Sequence, residues 1–191
     1  MMARHSRFDL ALFAVLALVM LVTRTHSLSQ YVHLPDTSWA SFFVAGYYIR
    51  SRAAFPALFL LAFAIDLFVI GVMGGSSFCF TPAYWMLVPA CGVMWLAGRF
   101  AAARMGASLA HLPAVVGLVA GATCVAQLFS SGGFYFLGGR FAEPSLVEFA
   151  GRMMRYFPAS LLSTLIWTGI ALAGHMVVML LNSSQISGQR R

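Results

Sequence analysis

The sequence contains no lysine: all twelve basic residues are arginines. That absence excludes an ATP-binding loop of the GxxxxGK[ST] type, whose lysine is the group that reaches the phosphates. If ATP drives any activity of this chain, a partner must bring the motor. Charge of either sign is scarce, at 9% of the 191 residues, against about 25% in ordinary soluble domains. Cysteine is scarce too. There are three, with no CxxC pair and no HxxxH spacing, so the usual ligand sets of a protein-held zinc are missing. Neither a domain linker nor a convincing internal repeat is visible.

What is abundant is apolar, 61% of the chain, and it comes in long runs between charges. The runs predict an all-α membrane protein, one integral domain of six transmembrane helices over 8–23, 37–49, 53–73, 83–103, 112–129 and 157–181. The second is short for a hydrocarbon core of about 30 Å and needs local thinning or burial against neighbours. The sixth has a polar lead-in from Ser145 that carries Arg152 and Arg155. Glycines four apart, Gly71/Gly75 and Gly117/Gly121, read as places where helices approach closely. The polar end from Asn182 reads as a frayed tail.

Charge sets the expected orientation. With six spans, one side carries Arg4, Arg7, Arg50, Arg52, Arg99, Arg104, Arg190 and Arg191 against Asp9 alone. The other carries Arg24, Arg140, Arg152 and Arg155, nearly balanced by Asp36, Glu143 and Glu148. The positive-inside rule makes both termini cytoplasmic and puts the loops after spans 1, 3 and 5 outside. The net charge of +7 then reflects topology and membrane lipids rather than nucleic acid. Reading the first run as a cleaved signal peptide fits less well: Asp9 interrupts its start, no A-x-A site follows, and its loss would spoil the charge bias.

The chemistry concentrates in one external loop, "GGSSFCFTPAYW", residues 74–85. Cys91 and Cys124 lie within apolar helices and read as packing residues. Cys79 is flanked by Phe78 and Phe80 and followed by Tyr84 and Trp85. It reads either as a loop cysteine packed between two rings or as a nucleophile, redox thiol or metal ligand. No base is adjacent in sequence. A single thiolate is a sufficient ligand only when the metal arrives on its own macrocycle, as in haem or a cobalt corrin. Asp66, inside the third span, is expected to accept hydrogen bonds from ligand amides or to pair with Arg152 or Arg155. Those two arginines, three apart at the external mouth, suit a ligand's polar arms or lipid headgroups. Tyr84, Trp85, Phe134 and Tyr135 either pack on a flat ligand or belong to an interfacial aromatic belt. His26 and His33 are external and read as solvated.

Length, six spans, short external loops and the lone cysteine of "SSFCFTPAYW" resemble the BtuM family. Its members are solitary relatives of the substrate-binding S-components of energy-coupling-factor (ECF) transporters, assigned to cobalamin uptake. The resemblance implies a six-helix bundle in the bacterial cytoplasmic (inner) membrane with an external cavity shaped by helix 1 and the loops after helices 1, 3 and 5. It implies cobalamin as bound substrate, with Cys79 as axial ligand to cobalt, and no ATP, haem or zinc cofactor. Around Cys79 the expected substrate contacts are Phe78, Phe80, Tyr84, Asp66, Arg152, Arg155 and Tyr135. Removal of a cyanide ligand at Cys79 is the catalytic extension of that role. S-components that dock on a shared ECF module carry an AxxxA motif in helix 1; here Ala11, Ala14 and Ala17 are three apart, so no dedicated ATPase module is expected. Two other classes compete: an intramembrane thiol enzyme or haem handler, for which His175 is the one histidine within a span, and a scaffold that binds no small molecule.

Overall fold

The computed structural model describes residues 2–25, 35–78, 80–105 and 109–188, and every element found there is helical. Seven α-helices follow in order: α1 (Met2–Arg24), α2 (Ser38–Tyr48), α3 (Ala54–Gly71), α4 (Leu87–Arg104), α5 (Leu112–Gln127), α6 (Gly133–Leu137) and α7 (Leu146–Gly188). A 3₁₀ turn, Pro82–Met86, leads into α4. A π-helical segment, Leu128–Gly132, joins α5 to α6 without a break. The described residues therefore make six rods.

Four of them are long and apolar enough to cross a membrane: Ala54–Gly71, Pro82–Arg104, Leu112–Leu137 and Leu146–Val177. The first helix has the length, 23 residues, but carries Arg7, Asp9 and Arg24 along it. The second departs furthest from the expected span. With 11 residues it rises only about 17 Å, roughly half a hydrocarbon core. It is buried almost along its whole length, from Ser38 and Ala40 to Gly46. The apolar run over 37–49 is thus the central pillar of the bundle, shielded by other helices.

The pillar packs chiefly against α4, and two glycines set how closely. A methyl group on Gly46 would lie 2.1 Å from the carbonyl oxygen of Trp95, and one on Gly98 would lie 2.0 Å from that of Phe43. Backbone meets backbone at this crossing, which only glycine permits. The pairs expected to play that part do not. Gly71, Gly117 and Gly121 face open space, and Gly75 lies past the end of α3. There the chain reverses at Gly74, with φ of 69°, as Gly75 N–H donates to the carbonyl of Val69 at 2.9 Å. This left-handed glycine follows the end of α3 and launches the 74–85 loop.

Around the pillar, Met20, Phe42, Leu58, Met94 and Val119 are fully buried. Large apolar side chains such as Leu10, Leu18, Leu60, Leu96 and Leu162 point outward, the pattern of helices packed on one side and bathed in hydrocarbon on the other. Two boundaries shift from the sequence reading. The fifth rod does not stop at 129 but continues to Leu137, and the polar lead-in to the sixth is itself helix, so α7 runs 43 residues. At about 65 Å it is twice the thickness of a bilayer core, so part of it stands outside the hydrocarbon.

If the Gly46–Gly98 crossing holds the pillar, Gly46→Ala and Gly98→Ala should each cost about 1–3 kcal/mol from overpacking. Gly117→Ala and Gly121→Ala should be neutral or slightly stabilising, since alanine is the better helix former. Thermal unfolding of the detergent-solubilised variants separates the two pairs; equal losses in all four would contradict the packing described.

Candidate ligand-binding site

At the end of the bundle where α1, α3 and α5 finish and α2 and α4 begin, the helices enclose a cleft with two lobes. The outer lobe measures about 850 Å³ and the inner about 550 Å³. Arg24, Asp36, Tyr84, Leu87, Ser130, Ser131 and Tyr156 line both and form the waist between them.

Arg24 organises the waist. Its Nε and Nη2 donate to the two carboxylate oxygens of Asp66 at 2.6 and 2.5 Å, a two-bond fork that fits guanidinium to carboxylate. Its Nη1 donates to Ser38 Oγ at 2.7 Å and stands 3.7 Å from Asp36 Oδ2. Tyr84 Oη donates to Asp66 Oδ2 at 2.7 Å. Asp36 is fixed in turn, its Oδ1 accepting from the Ser38 hydroxyl at 2.7 Å and the Ser38 N–H at 3.0 Å. The second of these satisfies an otherwise unpaired amide at the start of α2, where a carboxylate is also favoured by the helix dipole. One arginine thus ties α1 to α2, α3 and the 3₁₀ turn. The partner of Asp66 is Arg24, and neither of the two α7 arginines takes that place.

Eight aromatic residues line the outer lobe: Phe78, Phe80, Tyr84, Phe134, Tyr135, Phe141, Phe149 and Tyr156. Phe80 packs on Tyr84 with centroids 4.9 Å apart, and Phe78 meets Phe134 edge-on at 5.5 Å. Arg152 closes this lobe. It donates to Glu148 at 3.2 Å through both Nε and Nη2, and its guanidinium lies 4.3 Å over the ring of Phe141 and 5.2 Å over Tyr135. Buried Tyr135 donates from its hydroxyl to Glu148 at 2.9 Å. The inner lobe is built differently. Its walls carry Ser38, Gln127, Ser130, Ser131, Ser160, Ser163 and Thr164, together with Cys91. The π-helical segment is what presents both Ser130 and Ser131 to the cavity, since its wider turn lets neighbouring residues share a face. Gln127 Nε2 donates to Ser131 Oγ at 2.5 Å.

Compared with models of known protein families and with curated proteins, the chain matches none.

Of the residues singled out in the sequence, Phe78, Phe80, Asp66, Tyr84, Phe134, Tyr135 and Arg152 all line the outer lobe. Arg155 is exposed and lines neither lobe. Trp85 also points away, stacked on Phe63 at 5.8 Å. Cys79, His26 and His33 lie outside the described residues. Cys91, read as packing, is buried but forms part of the inner wall. Among the described residues no three His, Cys, Asp or Glu side chains gather so as to hold a metal ion; a metal carried in on a macrocycle asks for one donor only. Sequence reasoning missed Arg24, Asp36 and the serine-rich inner wall. The available signal for Arg24 was its position: the arginine that ends the first apolar run, on the same side as an intramembrane carboxylate that had to find a cation.

The network predicts strong non-additivity. Arg24→Gln or Asp66→Asn alone leaves a partly buried charge without its partner and should cost on the order of 3 kcal/mol. The double variant should cost clearly less than the two losses summed. Thermal unfolding of the four proteins measures the coupling; strictly additive losses would contradict the pair as drawn.

Proposed function

We propose that the chain binds cobalamin and takes it up across the bacterial cytoplasmic membrane, with Cys79 as axial ligand to cobalt. The observation that carries the reading is the position of the 74–85 loop. Phe78 and Phe80, the residues on either side of Cys79, both lie in the wall of the large aromatic lobe. A flat, broad ligand suits that wall, because aromatic faces pack on a ring system over a large area. A thiolate at Cys79 supplies the one soft donor that such a ligand leaves for the protein to add.

In this reading the chain is a six-span bundle resembling ECF S-components, with both termini cytoplasmic and the cleft open to the external side. The balance of arginines on the two sides supports that orientation. The aromatic wall holds the macrocycle, and Arg24, Asp66 and Tyr84 fix the floor beneath it. Uptake proceeds without a dedicated ATPase module.

This reading also gives Cys79 a chemical role. With cyanocobalamin the thiolate displaces cyanide from cobalt: a sulfur–cobalt bond forms, a cobalt–carbon bond breaks, and cyanide leaves with its electron pair. The cobalt oxidation state is unchanged, so no reductant is needed. Coordination itself drives loss of the thiol proton to water. Holding sulfur against cobalt for the bound lifetime is what accelerates the exchange.

The expected result is that wild-type protein incubated with cyanocobalamin loses the spectrum of cyanide-bound cobalt. Cys79→Ser, which replaces a soft anionic donor with a hard neutral one, should bind more weakly and retain the cyanide spectrum. Cys124→Ala should behave as wild type. A Cys79→Ser protein indistinguishable from wild type in both affinity and spectrum would refute the cobalt–sulfur bond.

A further inference from the structure

The inner lobe carries a set of hydrogen-bonding groups that the bundle itself does not use. Ser130, Tyr156, Ser160 and Gln127 line the cavity, and the three hydroxyls and the Gln127 side-chain oxygen have no hydrogen-bond partner among the described residues. They come from two elements, the α5–π rod and α7, so they converge on the space from two sides. Both donors and acceptors are present, the hydroxyls serving as either and the glutamine oxygen accepting only.

Charge decides which polar group belongs there. Among the described residues Arg24 is the one cation on the inner wall, and it is already committed: its fork holds Asp66, and its remaining nitrogen serves Ser38 and faces Asp36. Asp36 lines the inner lobe and Asp66 backs the same guanidinium from the outer one, so two carboxylates share one guanidinium and the cluster carries a formal negative charge. An anion entering the inner lobe would meet that excess, and the like charge disfavours it. A neutral group that both donates and accepts meets no such barrier.

We propose that the inner lobe is a subsite for a neutral carboxamide arm of the ligand, and that the Arg24–Asp36–Asp66 waist rejects a carboxylate in the same place. The proposal rests on the corrinoid reading above, since a corrin's rim carries carboxamide arms, and it assigns their recognition to Gln127, Ser130, Tyr156 and Ser160. A carboxamide N–H₂ is matched by the Gln127 oxygen and its carbonyl by the serine and tyrosine hydroxyls. A carboxylate lacks the donors and adds the unwanted charge. The waist is thus both a structural tie and a charge filter.

The test compares cyanocobalamin with its monocarboxylic acids, in which one rim amide at a time is hydrolysed, by spectral titration of the full-length protein in detergent. At least one monocarboxylic acid should bind about tenfold or more weakly than cyanocobalamin, the loss expected when hydrogen bonds are exchanged for charge repulsion. Asp36→Asn should shrink that discrimination several-fold. Ser160→Ala, on the cavity face of α7, should weaken cyanocobalamin severalfold while changing the discriminated acid much less. Monocarboxylic acids that all bind as well as cyanocobalamin, or more tightly, would overturn the subsite. Failure of cyanocobalamin itself to bind a folded protein would overturn the corrinoid reading and this inference with it. Normal cyanocobalamin binding with no discrimination would overturn this inference alone.

Discussion

Everything at the open end of the bundle hangs on one guanidinium. Arg24 ends α1 and is joined within hydrogen-bonding distance to α2 through Ser38 and to α3 through Asp66, whose other partner is Tyr84 ahead of α4. Taking an arginine and a carboxylate out of water is expensive, and their attraction compensates only when the remaining donors and lone pairs are also met. Here they are. Two guanidinium nitrogens serve Asp66, the third serves Ser38, and Asp66 receives the tyrosine hydroxyl besides. The pair fixes where three helix ends lie, and therefore the width of the waist and the division of the cleft into an aromatic and a hydroxyl-lined lobe.

The cleft exists because α2 is too short to fill the bundle. A helix of 11 residues, locked to α4 by the Gly46–Gly98 crossing, occupies the middle and leaves the space beyond its first turn open. The segment before it is pinned outward: Ser163 donates to the carbonyl of Asp36 at 2.7 Å, and Trp167 Nε1 to that of Pro35 at 3.0 Å. These two bonds from α7 hold Asp36 at the wall. Close packing at one end and separation at the other are two results of the same short helix.

Much of this was legible in the sequence, and the failures have physical causes. The apolar runs between arginines marked all six rods, because a helix in hydrocarbon must be apolar on nearly every face. The same property erased periodicity, so the sequence could not distinguish the buried pillar from a full span except by length. Glycine spacing misled for a related reason: close approach at Gly46 and Gly98 joins residues from different helices, and a four-residue spacing within one helix does not report that. The helical continuation to Leu137 passes through Ser130, Ser131, Gly132 and Gly133, whose composition suggests a loop; tertiary packing overrides it. At the site, the aromatic Phe78, Phe80 and Tyr84 around Cys79 and the intramembrane Asp66 stood out by type, and with Phe134, Tyr135 and Arg152 they make seven singled-out residues that line one lobe. Arg24, Asp36 and the free hydroxyls did not, since an arginine at a helix end or a serine in a helix has no distinctive sequence signature.

A large cleft with an aromatic-lined lobe, a floor in which one arginine is shared by two carboxylates, and a set of unused hydroxyls suits a big, flat ligand with polar edges and no negative charge of its own. Purifying the full-length protein from cells grown with cobalamin and recording its absorption spectrum tests that directly. The account predicts a pink preparation with corrin bands and about one cobalt per chain; a colourless preparation, or one showing a haem Soret band instead, would contradict it.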